Sequence, residues 1–470
     1  MMPVILWTDA LVWLLVAVIV LSGFYMRSKP HLREPWQRVI RSRTGMSALV
    51  VLLAFVLIGL LDSLHFREAL PDQTQGGEVH YSGEVMSVFD KLVGPLRTRV
   101  EKTYSAPFSA WLYMKEMVER PDGSQVLDYP RLEHGAAHLA DPVTERDADI
   151  ARRLGLATLQ TLLCMALLGL ATAALVARRY RLDLRAALGL SLRGGTALPL
   201  PALLLTLTVL IWLLFAAVNL AGAYHVFGTD KVGQDVFYQA LKSIRTGLII
   251  GTLTTLIMLP FAVLLGIMAG YFRGWVDDVI QYLYTTLNSI PGVLLIAAAV
   301  LMMQVYVDTH PELFETMAER ADLRLLFLCI ILGVTSWTGL CRMLRGETLK
   351  LREMDYIQAA TAFGVPNFVV ILRHILPNVM HIVLIAVVLD FSGLVLAEAV
   401  LSYVGVGVDP TMNSWGNMIN RARLEMAREP MVWWSLLAAF IFMFTLVLAA
   451  NLFSDVVRDA FDPRLREQRG

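Results

Sequence analysis

The chain has 470 residues, of which 56% are apolar, and it carries equal numbers of basic and acidic side chains, 40 of each. Charged residues make up only 17%, against about 25% in a typical soluble domain, and this depletion excludes an ordinary soluble protein. The balanced charge gives no indication of nucleic acid as a partner. The three cysteines lie in or at the end of apolar runs, which argues against a disulfide framework.

Apolar runs of roughly 20 residues recur along the chain, and a helix of that length spans the hydrocarbon core of a bilayer. Helix is the expected form because backbone groups within lipid must find hydrogen-bond partners in their own segment. The first run has no basic region before it and no clear cleavage site, so it is interpreted as a retained span. The sequence therefore predicts an all-α, polytopic helical membrane protein with about nine transmembrane helices, at 4–25, 46–61, 155–177, 197–220, 246–270, 290–306, 324–340, 379–397 and 432–451.

Basic residues between these spans predict the orientation, because Lys and Arg concentrate in cytoplasmic loops. With nine spans, all four basic clusters fall on one side, which places the N-terminus outside and the C-terminus in the cytoplasm. The simplest interpretation is that the clusters set the topology, and contact with anionic lipid is the alternative. The clusters lie at 27–43, 178–193, 342–373 and 458–469.

The spans and linkers divide the chain into five predicted regions. An N-terminal span, a basic loop and a second span occupy 1–61, and a transmembrane core and a cytoplasmic tail occupy 223–456 and 457–470. Between them lie an extracytoplasmic insert at 62–153, which could form a small cap, and an extra helix pair at 154–222. Residues 106–118 of the insert are interpreted as an amphipathic helix, either on the bilayer surface or packed on its own domain.

The loop between the seventh and eighth spans has an unusual pattern, RMLRGETLKLREMDYIQAATAFGVPNFVVILRHILPN. Ala359, Ala360 and Ala362 are small, so another surface can approach closely. Gly364 permits a left-handed turn that would end a short helix. Pro377 stands where the next helix would begin, a position that proline tolerates. The pattern predicts a protruding helix and turn, suited to contact with a cytoplasmic partner.

These residues resemble the EAA loop of permeases of ATP-binding-cassette (ABC) importers, in the dipeptide, oligopeptide and nickel branch. In that family the loop forms the coupling helix that docks in a groove of the ATPase subunit. Gln358 stands where Glu is usual. The resemblance implies an ATPase-coupling loop made of Gln358, Ala359, Ala360, Gly364, Arg373, Leu376 and Pro377.

Other stretches resemble signatures of the same branch, in order and at similar spacing over 224–466. The branch normally has six spans, so the extra N-terminal span, the insert and the extra helix pair lie outside the resemblance. The matching stretches are Gly228-Thr229-Asp230 with Gly233 and Asp235, Gly270-Tyr271 with Gly274-Trp275 and Asp277, Pro291, Ala397-Glu398-Ala399 with Leu401-Ser402 and Gly405, Ser414-Trp415-Gly416, Asn451-Leu452, Arg458-Asp459 and Asp462-Pro463-Arg464.

Two acidic residues, one inside the eighth span and one at its outer end, are candidates for the transport pathway or its gate. An ionised group at mid-membrane is costly, so Asp390 should face a wet site, where it would touch the solute, or a polar partner on a neighbouring helix. Glu398 lies eight residues on, near the same helical face, and could act in the gate or in docking a binding protein. The pair Trp433-Trp434 fits an interfacial anchor.

No nucleotide-binding phosphate loop or hydrolase signature occurs in the sequence, so no catalytic residue and no cofactor is predicted. His134 and His138 are too few for a metal site, and none is predicted.

The predicted function is therefore a channel-forming permease subunit of an ATP-driven importer for peptides or similar solutes, in the bacterial inner membrane. The resemblance implies a second homologous permease, two ATPase subunits that use ATP, an extracytoplasmic solute-binding protein and membrane lipids as partners. An ion-coupled carrier and an intramembrane enzyme are the alternatives.

Overall fold

The computed structural model describes residues 2–27, 30–69, 80–119, 125–314 and 316–461. The predicted signature 462–464 and the basic residues Lys29, Arg464, Arg466 and Arg469 lie outside these ranges. The helices are α1 Trp7–Arg27, α2 Pro30–Arg41, α3 Arg43–Asp62, α4 Val88–Leu92, α5 Gly94–Thr98, α6 Pro142–Tyr180, α7 Leu184–Arg193, α8 Leu200–Ala221, α9 Val236–Phe272, α10 Gly274–Ser289, α11 Gly292–Thr309, α12 Met317–Ser336, α13 Thr338–Arg352, α14 Asp355–Ala362, α15 Asn367–Val370, α16 Leu376–Val404, α17 Trp415–Glu425 and α18 Trp434–Phe461. A 3-10 turn occupies Pro311–Leu313 and a π turn occupies Ile371–Ile375. The strands are β1 Met2–Val4, β2 His65–Arg67, β3 Met86–Ser87, β4 Glu116–Glu119 and β5 Gln125–Asp128.

Nine helices in the described ranges are long and apolar enough to cross a membrane, which confirms the polytopic helical fold. Several extend well beyond the apolar run that predicted them, and α9 has 37 residues. The largest difference is at the seventh span, where α12 and α13 form a continuous helical rod over Met317–Arg352. Arg342, Arg345 and Lys350 therefore lie on a helix and not in a loop, because no proline interrupts this segment.

The chain forms two compact units. The first contains Met1–Val4, Lys29–Thr246 and Asn413–Val456, and the second contains Ile5–Ser28, Gly247–Met412 and Val457–Gly470. Helices α9 and α18 contribute residues to both.

In the first unit, the N-terminal turns of α3 and α8 lie side by side. The Thr206 hydroxyl of α8 donates a hydrogen bond of 2.9 Å to the Ser47 hydroxyl of α3. Gly45, at the start of α3, lies against Val456 near the end of α18. In the extra helix pair, Trp212 of α8 donates from its indole N–H to Thr158 of α6. These contacts place the first residues of α3 and α8 and the later turns of α18 at one end of the unit.

The insert contains two small antiparallel sheets. Strand β2 pairs with both β1 and β3, and Met2 lies opposite Arg67. Strands β4 and β5 form a hairpin in which Met117 lies opposite Leu127. Because β1 precedes the first span and β2 follows the second, the pairing puts the described N-terminal strand on the same side of the membrane as the insert.

The predicted helix at 106–118 is wrong. Phe108 has a positive φ of 56°, and its N–H donates to the carbonyl of His225, 3.0 Å away. Ser105 and Leu112 form an isolated antiparallel bridge, and β4 begins at Glu116. The backbone of this segment bonds to neighbouring loops, and Pro107 disfavours helical backbone at the residue before it. The apolar spacing therefore reflects contacts with several loops and not one helical face.

The insert is joined to the 228–235 loop by a buried charge network. The Glu101 carboxylate accepts 2.9 Å hydrogen bonds from the N–H groups of Glu133, His134 and Gly135. It also lies 3.2 Å from Nε2 of His225, whose Nδ1 is 2.7 Å from Asp235. This network fixes the insert against the segment that leads into α9.

The backbone of the insert at Glu101 and that of the 228–235 loop at Gly233 lie so close together that no side chain would fit at Gly233. Gly233 has φ +76°, and a Cβ there would lie 1.7 Å from the carbonyl oxygen of Glu101. The Gly233 carbonyl in turn accepts a 2.9 Å hydrogen bond from the N–H of Glu101. The glycine of this signature is therefore needed both for its backbone conformation and for the contact with the insert.

A second charged contact lies at the start of α9. The Lys242 ammonium donates to Asp62 at the end of α3 and to Asp90 of α4, the latter at 2.8 Å. The Ser87 hydroxyl also donates to Asp62, at 2.6 Å. One half-buried cation thus joins the second span, the insert and the first turns of α9.

Trp434 is not the interfacial anchor predicted from the Trp433-Trp434 pair. Its side chain is fully buried, its indole N–H donates to the Thr229 carbonyl, and Tyr113 packs edge-on against it at 4.8 Å. Trp433 is exposed, so the anchor interpretation stays a prediction for that residue alone.

In the second unit, apolar side chains of α9, α10, α13, α14 and α16 form one core, and those of α9, α11 and α12 form another with residues 401–412. The extra N-terminal span α1 packs on α12, where the Thr8 backbone N–H donates to the buried Asp322 at 3.0 Å. At the same end, Arg324 bridges Asp308 and Asp409, each at 2.6 Å. Charged contacts thus lie near the ends of the apolar helices.

The histidine network predicts a specific pH dependence of stability. Burial lowers the pKa of His225, but hydrogen bonds to Asp235 and Glu101 outweigh it and raise the pKa to about 9 from 6.5. Burial raises the pKa of Glu101, yet His225 and the backbone N–H groups lower it to about 2. A histidine whose folded pKa is raised stabilises the fold fully below pH 6.5 and loses that contribution as the pH rises through about 9.

We therefore expect His225→Gln to lower the thermal unfolding temperature of the detergent-solubilised chain most below pH 6.5, with the deficit shrinking above pH 9. Removing the cation also leaves two buried carboxylates without it, so the loss below pH 6.5 should reach roughly a few kcal/mol. His80→Gln, at an exposed position of the same insert, is the control and should change little. A deficit independent of pH would contradict a charged His225.

Candidate functional site

The short helix α14 ends in a glycine turn of the Schellman type. Gly364 has φ +76°, and its N–H donates to the Thr361 carbonyl at 3.0 Å, while the N–H of Val365 donates to Ala360 at 3.1 Å. These two bonds satisfy carbonyls that a helix end otherwise leaves free. The predicted helix and left-handed turn are thus present, and we call α14, Gly364 and α15 the knob.

The knob is anchored by few side chains and exposes many. Ile357 of α14 is buried in the core of the second unit, with Ala360 and Val365 packed partly against it. In contrast, Phe363 is 87% exposed and Phe368 is 71% exposed. Large aromatic side chains open to solvent on this scale are typical of an interaction surface.

The predicted coupling residues divide between this surface and its support. Gln358, Ala359, Gly364, Arg373 and Pro377 are exposed, whereas Ala360 and Leu376 are partly buried. The Gln358 amide N–H₂ donates only a long bond of 3.3 Å to the Glu353 carbonyl, so its side chain is largely available to a partner. Sequence reasoning missed Phe363 and Phe368, for which the signal was an aromatic residue on each side of the glycine turn.

Residues around the end of α9 hold the base of the knob. The Tyr271 hydroxyl donates to the Asn367 side chain at 2.9 Å, and the Tyr271 carbonyl accepts from Arg352 at 2.8 Å. The Arg345 guanidinium donates two parallel hydrogen bonds, of 2.6 and 2.7 Å, to the Asp277 carboxylate. This geometry is among the strongest for an ion pair, and the guanidinium lowers the pKa of Asp277.

Helices α9 and α13 approach within backbone distance beside this ion pair. A Cβ at Gly270 would lie 2.6 Å from Cβ of Thr348 and 2.8 Å from the Arg345 carbonyl. Only glycine allows this approach, so the position of α13 relative to α9 is closely determined. A displacement of the knob would therefore displace α9 and α10 with it.

Pro377 lies in the first turn of α16, as predicted, but α16 is not separated from the helix before it. The backbone is helical from Asn367 to Val404, and the π turn just before the proline carries a hydrogen bond from Leu376 N–H to the Ile371 carbonyl. Proline has no N–H to continue an α-helical ladder, and a π turn is a common local adjustment near functional sites. The knob is thus continuous with the eighth span.

Asp390 and Glu398 lie on the same helix, α16, but in different surroundings. Asp390 is partly exposed and forms no hydrogen bond or ion pair with any residue that the structure describes. Glu398 is only 3% exposed and accepts a 2.6 Å hydrogen bond from Ser402. A partner for Asp390 on a neighbouring helix is thus not found in this part of the chain, and the pathway and gate roles stay predictions.

No group of three or more potential metal ligands occurs among the residues that the structure describes. His138 instead lies 2.9 Å from Asp149, which also accepts hydrogen bonds from Arg153 and Tyr224. This cluster joins the insert to α6 and to the start of the 224–235 segment.

Comparison with known proteins agrees with this geometry. Residues 262–467 match the family described as binding-protein-dependent transport system inner membrane component. The glutathione transport system permease protein GsiD of Pectobacterium atrosepticum is 32% identical over 244 residues, 52% of this chain and 73% of that protein. The chain belongs to this family.

Two further relatives of the permease have names that refer to peptides. The oligopeptide transport system permease protein OppC of Haemophilus influenzae is 30% identical over 255 residues, 54% of this chain and 75% of that protein. The dipeptide transport system permease protein DppC of Bacillus subtilis is 29% identical over 244 residues, 52% of this chain and 70% of that protein. The chain is therefore a multi-pass membrane permease component.

The ion pair at the base of the knob gives a test of its support. We expect Arg345→Met to destabilise the permease by roughly 2–4 kcal/mol, because it leaves the poorly exposed Asp277 carboxylate without its partner. Arg345→Lys should recover part of this loss, since Lys keeps the charge but not the planar fork. Thermal unfolding in detergent measures both.

The control removes an exposed pair in the same region. Arg273 contacts Glu353, and both side chains are about half exposed, so Arg273→Gln should change stability by less than about 1 kcal/mol. Equal effects of Arg273→Gln and Arg345→Met would show that the Asp277 contact has no special structural role.

Proposed function

We propose that this permease is a channel-forming subunit of an ATP-driven importer, coupled to separate ATPase chains through the knob. The observation that supports this most directly is the knob itself, which is held in the core by the buried Ile357 and Val370 and presents Phe363 and Phe368 to the surroundings. A surface feature with so little contact of its own is suited to a partner's groove, and the EAA-like residues lie on it.

The packing suggests how force would pass from an ATPase to the membrane spans. The knob is continuous with α16 through the π turn, and Asn367 is bonded to Tyr271 of α9. The Asp277–Arg345 pair fastens α10 to α13. When ATP closes two ATPase chains around a pair of permeases, these helices would rotate as one body and open the pathway to the other side.

The proposed orientation places the N-terminus outside and the C-terminus in the cytoplasm. Strand pairing puts β1 on the side of the insert, which the basic clusters predict to be the outer side. In the first unit, the starts of α3 and α8 lie together, so Arg43 and Arg193 fall at one end. Positive residues gathered at one end are typical of the cytoplasmic face.

The proposed solute is a peptide or a similar small molecule, because relatives that match the permease carry names with oligopeptide, dipeptide and glutathione. A second homologous permease would complete the pathway, and a solute-binding protein would deliver the solute at the outer face near 398–430. Asp390 would face this pathway, since an ionisable group within a span needs water or a partner. No observation favours an ion-coupled carrier or an intramembrane enzyme.

Substitution of Gly364 tests the coupling role. We expect Gly364→Asp to reduce copurification of the ATPase subunits by at least about tenfold, while the amount of inserted permease is unchanged. A Cβ at Gly364 meets no atom of the described residues within 4 Å, so this part of the chain leaves room for it and a bound partner would be the obstacle. Asp also tolerates a left-handed backbone better than most residues.

Gly405→Asp is the matched control, because Gly405 also has a positive φ, +85°, and a Cβ added there would also meet no described atom within 4 Å. It lies at the other end of α16 and should leave ATPase copurification unchanged. Normal ATPase binding and uptake by Gly364→Asp would refute the coupling role of the knob.

Asp390 can be tested by accessibility. In a variant without the native cysteines, we expect Asp390→Cys to react with a membrane-impermeant, charged thiol reagent in the assembled transporter, because a pathway residue is hydrated. Leu167→Cys, on the exposed apolar surface of α6, should not react, since lipid suppresses thiolate formation. Equal protection of both positions would exclude Asp390 from a hydrated pathway.

A further inference from the structure

The segment between α6 and α8 lies outside the matched residues 262–467 and contains an additional short helix, α7. Arg181 and Gly194, at its two ends, both adopt left-handed backbone, with φ of 54° and 74°. These turns end α6 and α7, so the chain reverses twice between the two spans. We call residues 178–199 the basic turn.

One face of α7 packs on the ends of the spans. Ala187 is fully buried with Val176 in the last turns of α6 and Leu200 at the start of α8, and Ser191, one turn further along α7, is also buried. Both α6 and α8 are long and apolar enough to cross a membrane. A helix held against the ends of two spans must lie at the bilayer surface.

The face of α7 next to this buried one is an apolar stripe. Leu184, Leu188 and Leu192 recur at four-residue spacing, so they lie on one side of the helix, and all three are exposed, Leu192 by 60%. Such a stripe next to water would be unfavourable. At a membrane surface it can enter the boundary between headgroups and acyl chains.

The basic turn that contains this stripe has five arginines, and Asp183 is its single acidic residue. All five are exposed, and none has a hydrogen bond or ion pair within the part of the chain that the structure describes. Guanidinium groups bind phosphate oxygens with two parallel hydrogen bonds. The arginines are Arg178, Arg179, Arg181, Arg185 and Arg193.

A second basic helix lies at the same end of the first unit. Helix α2 buries Val39 and exposes Arg38 and Arg41, and it leads directly into α3. The hydrogen bond between Ser47 and Thr206 shows that the N-terminal turns of α3 and α8 lie side by side. The arginines of α2 therefore add to the positive charge around the basic turn.

We propose that α7 and the basic turn bind the phosphate groups of anionic lipids in the adjacent leaflet, with the leucine stripe inserted among the acyl chains. The pairing of five free arginines with an apolar stripe decides between lipid and a soluble polyanion. A soluble polyanion would occupy the arginines but leave the leucines in water, whereas a lipid satisfies both.

The test titrates the full-length, detergent-purified chain with phosphatidylglycerol or phosphatidylcholine and counts bound lipids by native mass spectrometry. Phosphatidylglycerol should bind more tightly than phosphatidylcholine, and the double variant Arg181→Gln/Arg185→Gln should weaken its binding by roughly tenfold. Arg181→Lys/Arg185→Lys should retain most of the affinity. Leu188→Ser/Leu192→Ser should weaken the binding of both lipids.

The matched control is Arg146→Gln/Arg152→Gln, which removes the same charge from the other end of α6 and should leave binding unchanged. Soluble glycerol 3-phosphate should not displace the lipid. Equal binding of the two lipids, an equal loss in the control variant, or displacement by glycerol 3-phosphate would each overturn the proposal.

Discussion

Lipid excludes unpaired polar groups, and the arrangement of charged side chains in this permease follows from that constraint. The bonded clusters lie near helix ends, at Lys242 with Asp62 and Asp90, at Arg324 with Asp308 and Asp409, and at Arg345 with Asp277. Between them the helices are joined mainly by apolar packing and close glycine contacts. The parts able to recognise partners are therefore gathered at the ends, and Asp390 is notable because it is partly exposed in mid-helix without a bonded partner in the described chain.

The insert is built into the first unit and is not simply attached to it. The Glu101 carboxylate accepts hydrogen bonds from three successive backbone N–H groups and contacts His225. Asp90 forms an ion pair with Lys242. Removing the insert would leave the buried His225 and the half-buried Lys242 with fewer counterions. Its presence therefore has a structural effect on the segment that leads into α9.

Much of the fold could be predicted because hydropathy is a local property. Runs of apolar residues located the nine membrane-long helices of the described residues. Gly364 located the turn of the knob, because few residues other than glycine adopt a left-handed backbone at low cost. Prediction failed where partners were distant in sequence. Phe108 bonds to His225, 117 positions away, and Leu112 bonds to Pro130 in another loop. Trp434 is buried against Thr229 and Tyr113, so neither local spacing nor aromatic character indicated these structures.

The sequence by itself determined that this chain spans a membrane, and it located the knob, because both depend on residues that are close together in the chain. Only the tertiary structure showed that Asp277 supports the knob through Arg345, that Glu101 and Asp235 share His225, and that the starts of α3 and α8 lie level. These contacts join residues 10 to 159 positions apart, and their partners are chosen by packing and by the low exposure that makes an unpaired charge costly.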